Sequence, residues 1–508
     1  MTETKHGPFA LDGITRDASG VARYDNLPES LMEAIRASVA AYPDHEAVVE
    51  VGGPRLTYTE LWDRAAEVAG GLRADGFRTG DRAAILLPAG VEWVLAFLGT
   101  LFAGGVVVPV NTRFAEPEID YVLADSGATH VFRPGEALPC GAAQVVQGLR
   151  PEDPAAIFYT SGTTGAPKGA ITTHENFVAN IETAVRVVPI DRAQGPTLRN
   201  LVSVPLFHVT GCNTQLLVQL AVGGATVILP VFGVSTFLQT IAIERINILV
   251  TVPAIHAMAI ANPDFAGTDI SSVIRVAYGG APIASALVER LKKAYPLARL
   301  GNGFGLTETS SIATYLPDEW SAEHADSVGF AAPVVDLRLK DPDLVSGVGE
   351  LLVRGPNVVA GYWHKPEATA AAFVDGWLHT GDLARIDDEG LVYIVDRAKD
   401  MINRGGENVY SVEVENALAG APGIAEAAVV GVPDDVMGEK VGVVVVATAP
   451  AAFDPDAMFA HLEGRLAEFK IPQYVAISET PLPRNPGGKV LKRQLRETTD
   501  WGPILRGR

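Results

Sequence analysis

The stretch from Arg82 to Pro109 sets the limits within which this chain can fold. Arg82-Ala83-Ala84-Ile85-Leu86-Leu87 is an apolar run of strand length, Val91 to Phe102 reads as a buried helix, and Val106-Val107-Val108-Pro109 is a second strand. A strand, a helix and a second strand in this order make a parallel crossover unit. Val91 to Val110 is also about long enough to cross a bilayer, but Glu92 and the Gly104-Gly105 break argue for the soluble reading. The same alternation recurs downstream. Strands are expected at Ala225 to Leu229, Ile248 to Val252 and Val273 to Tyr278, with helices from Thr236 to Arg245 and from Pro253. Helical periodicity also marks Leu27 to Ala41, a segment opening near Thr59 as N-cap and running to Ala74, His174 to Val187 with Asn176, Asn180 and Glu182 on its polar side, and Val209 to Gln219.

A chain of 508 residues is too long for one core. The pattern predicts an α/β protein: a large N-terminal domain of βαβ subdomains over residues 1–396, a hinge at 397–400 and a small α+β domain over 401–508. The last part has a helix at Ser411 to Leu418, strands near Ala427 to Val432 and Val441 to Ala447, and a helix from Asp456. Between Arg133 and Asp153 the chain is short and rich in Gly, Ala and Pro, so no strand is expected there.

Charge narrows the function. Lys and Arg number 40 against 60 Asp and Glu, and the net charge of −20 repels polyanions, which excludes a nucleic-acid partner. Two cysteines, Cys140 and Cys212, build neither a disulfide framework nor a cysteine-rich metal site. The first 22 residues hold no apolar run of signal-peptide length, so a cytoplasmic protein without stable membrane insertion is expected.

One loop stands out against this background: Tyr159-Thr160-Ser161-Gly162-Thr163-Thr164-Gly165-Ala166-Pro167-Lys168-Gly169, after the apolar run Ala155 to Phe158. Glycines let successive N–H groups turn toward one anion, hydroxyls add donors, and Lys168 adds a full charge, so the loop suits a phosphate. It is not a Walker A loop, which needs Ser or Thr after the lysine, where this chain has Gly169. Two further glycine-edged segments follow apolar runs: Gly279-Gly280-Ala281-Pro282, and Gly301-Asn302-Gly303-Phe304-Gly305-Leu306-Thr307-Glu308-Thr309. Phe304 offers an apolar face, Thr307 a hydrogen bond, and Glu308 the hard oxygen that magnesium prefers. Alone, the second segment reads equally well as a loop and helix cap.

Taken in order with Trp377-Leu378-His379-Thr380-Gly381-Asp382 and Leu482-Pro483-Arg484-Asn485-Pro486-Gly487-Gly488-Lys489-Val490, these segments resemble the motifs of the adenylate-forming enzymes: acyl-CoA synthetases, peptide-synthetase adenylation domains and firefly-type luciferases. The resemblance runs from about Leu27 to Gln494.

It implies that family's fold, with a mobile C-terminal domain, and it implies roles. Thr160, Ser161, Gly162, Thr163, Thr164, Gly165 and Lys168 would hold the phosphates of ATP. Gly280, Ala281 and Pro282 would lie against adenine, with Asn302, Gly303 and the stacking ring of Phe304. Thr307 would meet the α-phosphate and Glu308 would hold magnesium. Asp382 and Arg397, with Ile394 beside them, would take the ribose. Lys399 would absorb the rotation of the hinge, and Gly405 and Gly406 would line a passage for the thiol of CoA. Arg404 stands where relatives carry a small or aromatic residue. Lys489 would bridge the substrate carboxylate and the nucleotide. From Arg484 onward 7 basic residues face 2 acidic ones, a local reversal suited to a polyphosphate.

The resemblance also places His208 and Cys212, with Tyr278, Gly279 and Gly303, around the acyl group, although Cys212 by itself reads as a packing residue. These segments carry no lysine or carboxylate for a polar acid, so a hydrophobic carboxylic acid is expected, activated with ATP and magnesium and passed to CoA. The other reading is a stand-alone adenylation enzyme that hands its acyl-AMP to a partner ligase or acyl carrier. A homodimer is compatible with either.

Overall fold

The computed structural model describes residues 4–160, 166–405, 407–434, 436–484 and 490–506. The chain divides into two compact units. One comprises the chain up to Arg338 with Leu352–His379 and Asp387–Val392; the other comprises Leu339–Leu351, Thr380–Ile386 and everything from Tyr393 on. The backbone changes unit inside the strands Asp336–Lys340, Gly349–Arg354 and Trp377–Ile386 and at the start of Val392–Arg397.

Among the described residues the larger unit holds a nine-stranded and a five-stranded sheet. In the five-stranded sheet Arg82–Ile85 pairs in parallel with Val106–Pro109, and the helix Val91–Phe102 joins them, as the alternation predicts. Every residue of that helix except Glu92 is buried, and Val106–Pro109 is buried throughout. Strands covered on both faces read as unbroken apolar runs, which is why this part of the chain was legible. Gly90 supplies no side-chain cap; instead Glu50, from a strand of the other sheet, accepts a 2.8 Å bond from the Val91 N–H and puts a carboxylate at the positive end of the helix dipole. Gly104, at φ +75°, turns the chain out of the helix. No described helix is long and apolar enough to cross a membrane.

The nine-stranded sheet runs in the order Phe330–Ala331, Thr314–Leu316, Arg299–Phe304, Arg275–Gly279, Ile248–Thr251, Arg199–Val202, Ala225–Ile228, Glu46–Glu50 and Arg55–Thr57. Its six strands from Arg299–Phe304 through Glu46–Glu50 are parallel. Their C-terminal ends therefore share one edge, where ligands of open α/β sheets bind.

Three expectations change. The helix Tyr58–Ala74 is capped by Thr57, not Thr59, because Thr57 and Glu60 form a reciprocal box with each other's backbone N–H. In the helix His174–Val187, Asn176 and Asn180 are not on a solvent face but 3% and 0% exposed. Val209 to Gln219 is not one α-helix: a π-helix, Thr210–Leu217, precedes a short α-helix, Val218–Val222. No described strand lies between Phe132 and Pro154, as the composition there suggested.

The smaller unit contains the sheet Glu407–Val409, Ile402–Arg404, Gly438–Ala447 and Ile424–Asp434, with Tyr474–Ser478 beside Gly438–Ala447. The helices Ser411–Leu418 and Pro455–Leu462 contribute Val414, Leu418, Met458 and Leu462 to a core with Val429, Val443 and Val445. That is the α+β arrangement read from its sequence.

Candidate active site

Gly279 and Gly303 sit opposite each other at the ends of the adjacent strands Arg275–Gly279 and Arg299–Phe304. A Cβ on Gly279 would meet the Gly303 carbonyl oxygen at 2.2 Å, and Gly280 takes φ +73°, so both positions require glycine. This edge opens onto a cavity of about 100 Å³. Tyr278, Gly279, Gly280, Gly303 and Phe304 line it, together with Thr251, Val209 and Thr210.

Past Phe304 the backbone bends into a short 3-10 turn, Thr307–Thr309, with Thr307 and Glu308 half-buried. The turn is strained where it leaves: Ser310 has φ +51° and Ser311 φ +115°. Such backbone costs about 1–3 kcal/mol per residue and persists where its surroundings hold it. Three buried asparagines do so. Asn213 Nδ2 donates to the Ser310 carbonyl at 3.0 Å and to its Oγ at 3.1 Å. Asn357 Nδ2 donates to the carbonyls of Thr309 and Ile312 at 3.2 and 3.0 Å, and Asn180 Oδ1 accepts from the Ile312 N–H at 3.1 Å. At roughly 1 kcal/mol net for each bond, these offset a strain of the same size. Sequence reading singled out neither Asn213 nor Asn357, and it set Asn180 on the wrong face. The available signal was Asn176 and Asn180 four residues apart among Phe177, Ile181 and Ala184, which places them on the packed face.

Glu308 is oriented from a second direction. The Tyr362 hydroxyl donates to Glu308 Oε1 at 2.7 Å, and the Val359 N–H donates to the Glu308 carbonyl at 2.9 Å. The Lys168 ammonium lies 5.3 Å from the centre of the Tyr362 ring, within range of a cation–π contact. Lys168 and Tyr362 are set together by the chain: Gly169 and Ile171 exchange backbone bonds with Trp363 and Gly361. Lys168 also faces Thr160 across the hairpin Pro154–Thr160 and Lys168–Thr173. Tyr159–Gly169 thus brackets its loop with two antiparallel strands; Ser161, Gly162, Thr163, Thr164 and Gly165 lie outside the described residues.

No cluster of three or more His, Cys, Asp or Glu able to hold a metal occurs among the described residues. A single carboxylate, anchored on one oxygen, suits magnesium, which keeps its waters and takes most of its ligands from phosphate oxygens.

His208 is half-buried, its ring 4.7 Å from that of Phe207. Cys212 is fully buried in the main core, and burial pushes its thiol well up. Neither is on the cavity wall, whereas Tyr278, Gly279 and Gly303 are. The Tyr278 side chain belongs to the core behind the sheet. Beneath the same strand His256 lies fully buried, with Nε2 3.2 Å from the Ala277 carbonyl, and burial lowers its pKa to about 4.

In the smaller unit Asp382 is buried and pairs with Arg397, Nε to Oδ1 at 3.0 Å. The Thr380 hydroxyl accepts from the Asp382 N–H at 3.0 Å while donating to the Leu351 carbonyl at 2.7 Å, which fixes the strand that presents the aspartate. Ile394 is half-buried, and Lys399 is exposed inside the turn that the Arg397 carbonyl closes with the N–H groups of Asp400 and Met401. Gly405, at φ +63°, donates its N–H to the Met437 carbonyl at 2.7 Å. Gly406 and Lys489 lie outside the described residues.

Comparison with known proteins agrees with this picture. Residues 35–363 match the AMP-binding enzyme family, and residues 413–489 match the AMP-binding enzyme C-terminal domain. A feruloyl-CoA synthase of an Amycolatopsis species is 38% identical over 89% of this chain and 96% of its own length. The long-chain-fatty-acid–CoA ligase FadD13 of Mycobacterium tuberculosis is 35% identical over 91% and 97%. The o-succinylbenzoate CoA synthetase of Bacillus subtilis, solved with its acyl-adenylate intermediate, superposes with a TM-score of 0.82 at 28% identity, covering 92% of this chain and 98% of that one. It has also been solved with ATP and a magnesium ion. The chain belongs to the AMP-binding enzyme family and is a ligase of the acyl-CoA synthetase type.

Proposed function

We propose that this protein joins a hydrophobic carboxylic acid to CoA through an acyl-adenylate. The observation that carries the reading is a glycine-edged strand end, Gly279-Gly280 beside Gly303-Phe304, that leads directly into a cavity walled mainly by apolar side chains. A flat base needs the bare backbone at that edge, and an apolar acid needs the cavity beside it.

In the first step an oxygen of the acid attacks the α-phosphorus of ATP, and the bond to pyrophosphate breaks. Phe304 and Gly280-Ala281-Pro282 hold the base, Thr307 donates to the α-phosphate, and Asp382 with Arg397 takes the ribose hydroxyls, two donors on one carboxylate. Lys168 and the loop Thr160–Gly165 hold the leaving phosphates, and Lys489 offsets the charge shared by the acid and the α-phosphate. Glu308 would hold magnesium, which supplies charge neutralisation on the phosphates when bound. In the second step the CoA sulfur attacks the acyl carbonyl and the bond to AMP breaks. Lys489 and the passage at Gly405-Gly406 serve different steps, and rotation at Lys399 within the hinge 397–400 exchanges them.

Pyrophosphate release from ATP, measured with aliphatic, aryl and polycyclic acids with and without CoA, tests this reading. Release that requires both the acid and Lys489, compared with Lys489→Ala, and acyl-CoA formation only when CoA is present, is the expected result. Release of ADP, or of pyrophosphate without any acid, overturns it.

A further inference from the structure

The hinge at 397–400 does not fall on the boundary of a compact unit. It lies inside the smaller one, which holds chain from both sides of Lys399. Contacts made across Lys399 are therefore built into this unit, and a rotation about Lys399 has to break them. The most developed of them starts at Asp396. Its strand, Val392–Arg397, pairs with Trp377–Ile386 on the near side of the hinge. The aspartate is 2% exposed, and its carboxylate meets Ser411, the first residue of the helix Ser411–Leu418 on the far side. The N-cap residue of that helix, Tyr410, gives no side-chain cap. Asp396 supplies it instead: its carboxylate accepts from the Ser411 N–H and, at 2.8 Å, from the Ser411 hydroxyl. A carboxylate there satisfies an orphan N–H and faces the positive end of the helix dipole.

A lysine stands behind this cap. Lys492 Nζ donates to Ser411 Oγ at 2.7 Å and to Glu415 Oε1 at 2.7 Å. An ammonium only donates, so Ser411 Oγ accepts from Lys492 and gives its own hydrogen to Asp396. Ser411 is fully buried, and Glu415 Oε1 also accepts from the Val429 N–H at 2.8 Å. Burial pushes the carboxyls of Asp396 and Glu415 up, and the charge of Lys492 counters it at both. One ammonium serves two buried acids, one on each side of the hinge. Lys492 opens the helix Lys492–Thr498, three residues after Lys489, and Leu495 of that helix packs against Ala428, Val430 and Val444. A second contact spans the hinge: the Tyr410 hydroxyl bonds the side chain of Ser346, between the strands Asp336–Lys340 and Gly349–Arg354.

We propose that Asp396, Ser411 and Lys492 form a latch on the hinge: they hold the body beyond Lys399 in one orientation, and rotation about Lys399 carries Ser411 and Lys492 off the Asp396 carboxylate. This rests on the proposed function and names what governs the exchange of its two steps. The rotation strips a helix of its cap and takes donors from a buried carboxylate, so the second orientation is reached only against these losses. The three are positioning residues. They touch neither nucleotide nor acid in the roles given above, and they act by setting the share of time spent in the orientation that serves one step. A cap with a structural role alone supports both steps alike, whereas a latch favours one at the expense of the other.

The test measures the two steps apart: acid-dependent pyrophosphate release without CoA, and acyl-CoA formation from synthetic acyl-AMP with CoA. Asp396→Ala is expected to shift the quotient of the two rates about tenfold or more, one step falling while the other holds or rises. Ser411→Ala, which keeps the N–H bond, and Lys492→Met should shift it a few-fold in the same direction, and Lys492→Arg, which keeps the charge, should bring it back. A quotient within about twofold of the wild type in Asp396→Ala, whether both rates fall together or neither changes, overturns the proposal and leaves Asp396 an ordinary helix cap. Hydrogen exchange separates failure of the latch from failure of the reaction. In Asp396→Ala the amides of Asp400 and Met401, closed onto the Arg397 carbonyl, and that of Ser411 should exchange about tenfold faster, with the helix Pro455–Leu462 unchanged. If no acid releases pyrophosphate yet this local pattern appears, the reaction falls and the latch stands. If exchange at these amides is unchanged, or rises throughout the smaller unit, the latch falls whatever the activity.

Discussion

The two ends of the cavity are built in opposite ways. At its mouth the surfaces are backbone: Gly279, Gly280 and Gly303 at neighbouring strand ends, with the turn Thr307–Thr309 beyond. At its inner end they are side chains from unrelated elements, Asn200 from a strand and Gln219 from a helix. A surface made of backbone dictates its sequence, because only glycine fits, whereas a surface made of side chains changes by single substitutions without disturbing the fold. The mouth suits what is common to every turnover, the nucleotide, and the inner end suits what varies, the acid.

If that division is real, variants near the mouth should slow all acids alike and variants at the inner end should change their ranking. Glu308→Gln tests it hardest. Activity should fall about a hundredfold with every acid, and the magnesium concentration for half-maximal rate should rise; a fall confined to some acids breaks the division. Asn213→Ala removes two bonds to Ser310 and leaves the strained turn less supported. About a tenfold loss of kcat/KM for all acids is expected, with roughly 2 kcal/mol of stability lost in urea unfolding. Tyr362→Phe takes from Glu308 one hydrogen bond and keeps the ring beside Lys168. A few-fold loss is expected, together with a weaker magnesium dependence on Glu308, read from the same titration.

His256→Gln should leave activity at neutral pH unchanged and alter only the acid limb of stability. The buried ring stays neutral down to about pH 4, whereas in the unfolded chain it takes up its proton near 6.5. Between those values the unfolded chain binds more protons, so stability falls as the pH drops through the window. Melting temperatures from pH 7 to pH 4 should therefore decline less steeply in the variant. Identical slopes would mean that His174, also lowered to about 4 by burial, and the carboxylates carry the whole effect.

What was legible in the sequence follows the same line. The crossover Arg82 to Pro109 was read to the residue at its helix and second strand because covered strands and helices are apolar without interruption. The glycine-edged segments were readable because close approach leaves one residue type. The asparagines Asn180, Asn213 and Asn357 were not readable as supports. An amide looks the same in sequence whether it meets water or a buried carbonyl, and its partners lie 45 to 132 residues away. The π-helix Thr210–Leu217 was hidden for a related reason: its wider turn shows no period that a short apolar run could reveal. Gln219 sat inside an apolar run and Asn200 at the start of one, where a polar residue reads as an exception to the pattern rather than as part of a surface.

The burial of Cys212 has a use in the hand of the experimenter. The folded chain presents a reagent such as a maleimide with one reachable thiol, Cys140, which is exposed. Cys212 sits one residue before Asn213, in the core beneath the strained turn, and reacts only when that core opens. The second alkylation is thus a clock that reads how often the support of the turn comes apart, with no label added to the protein.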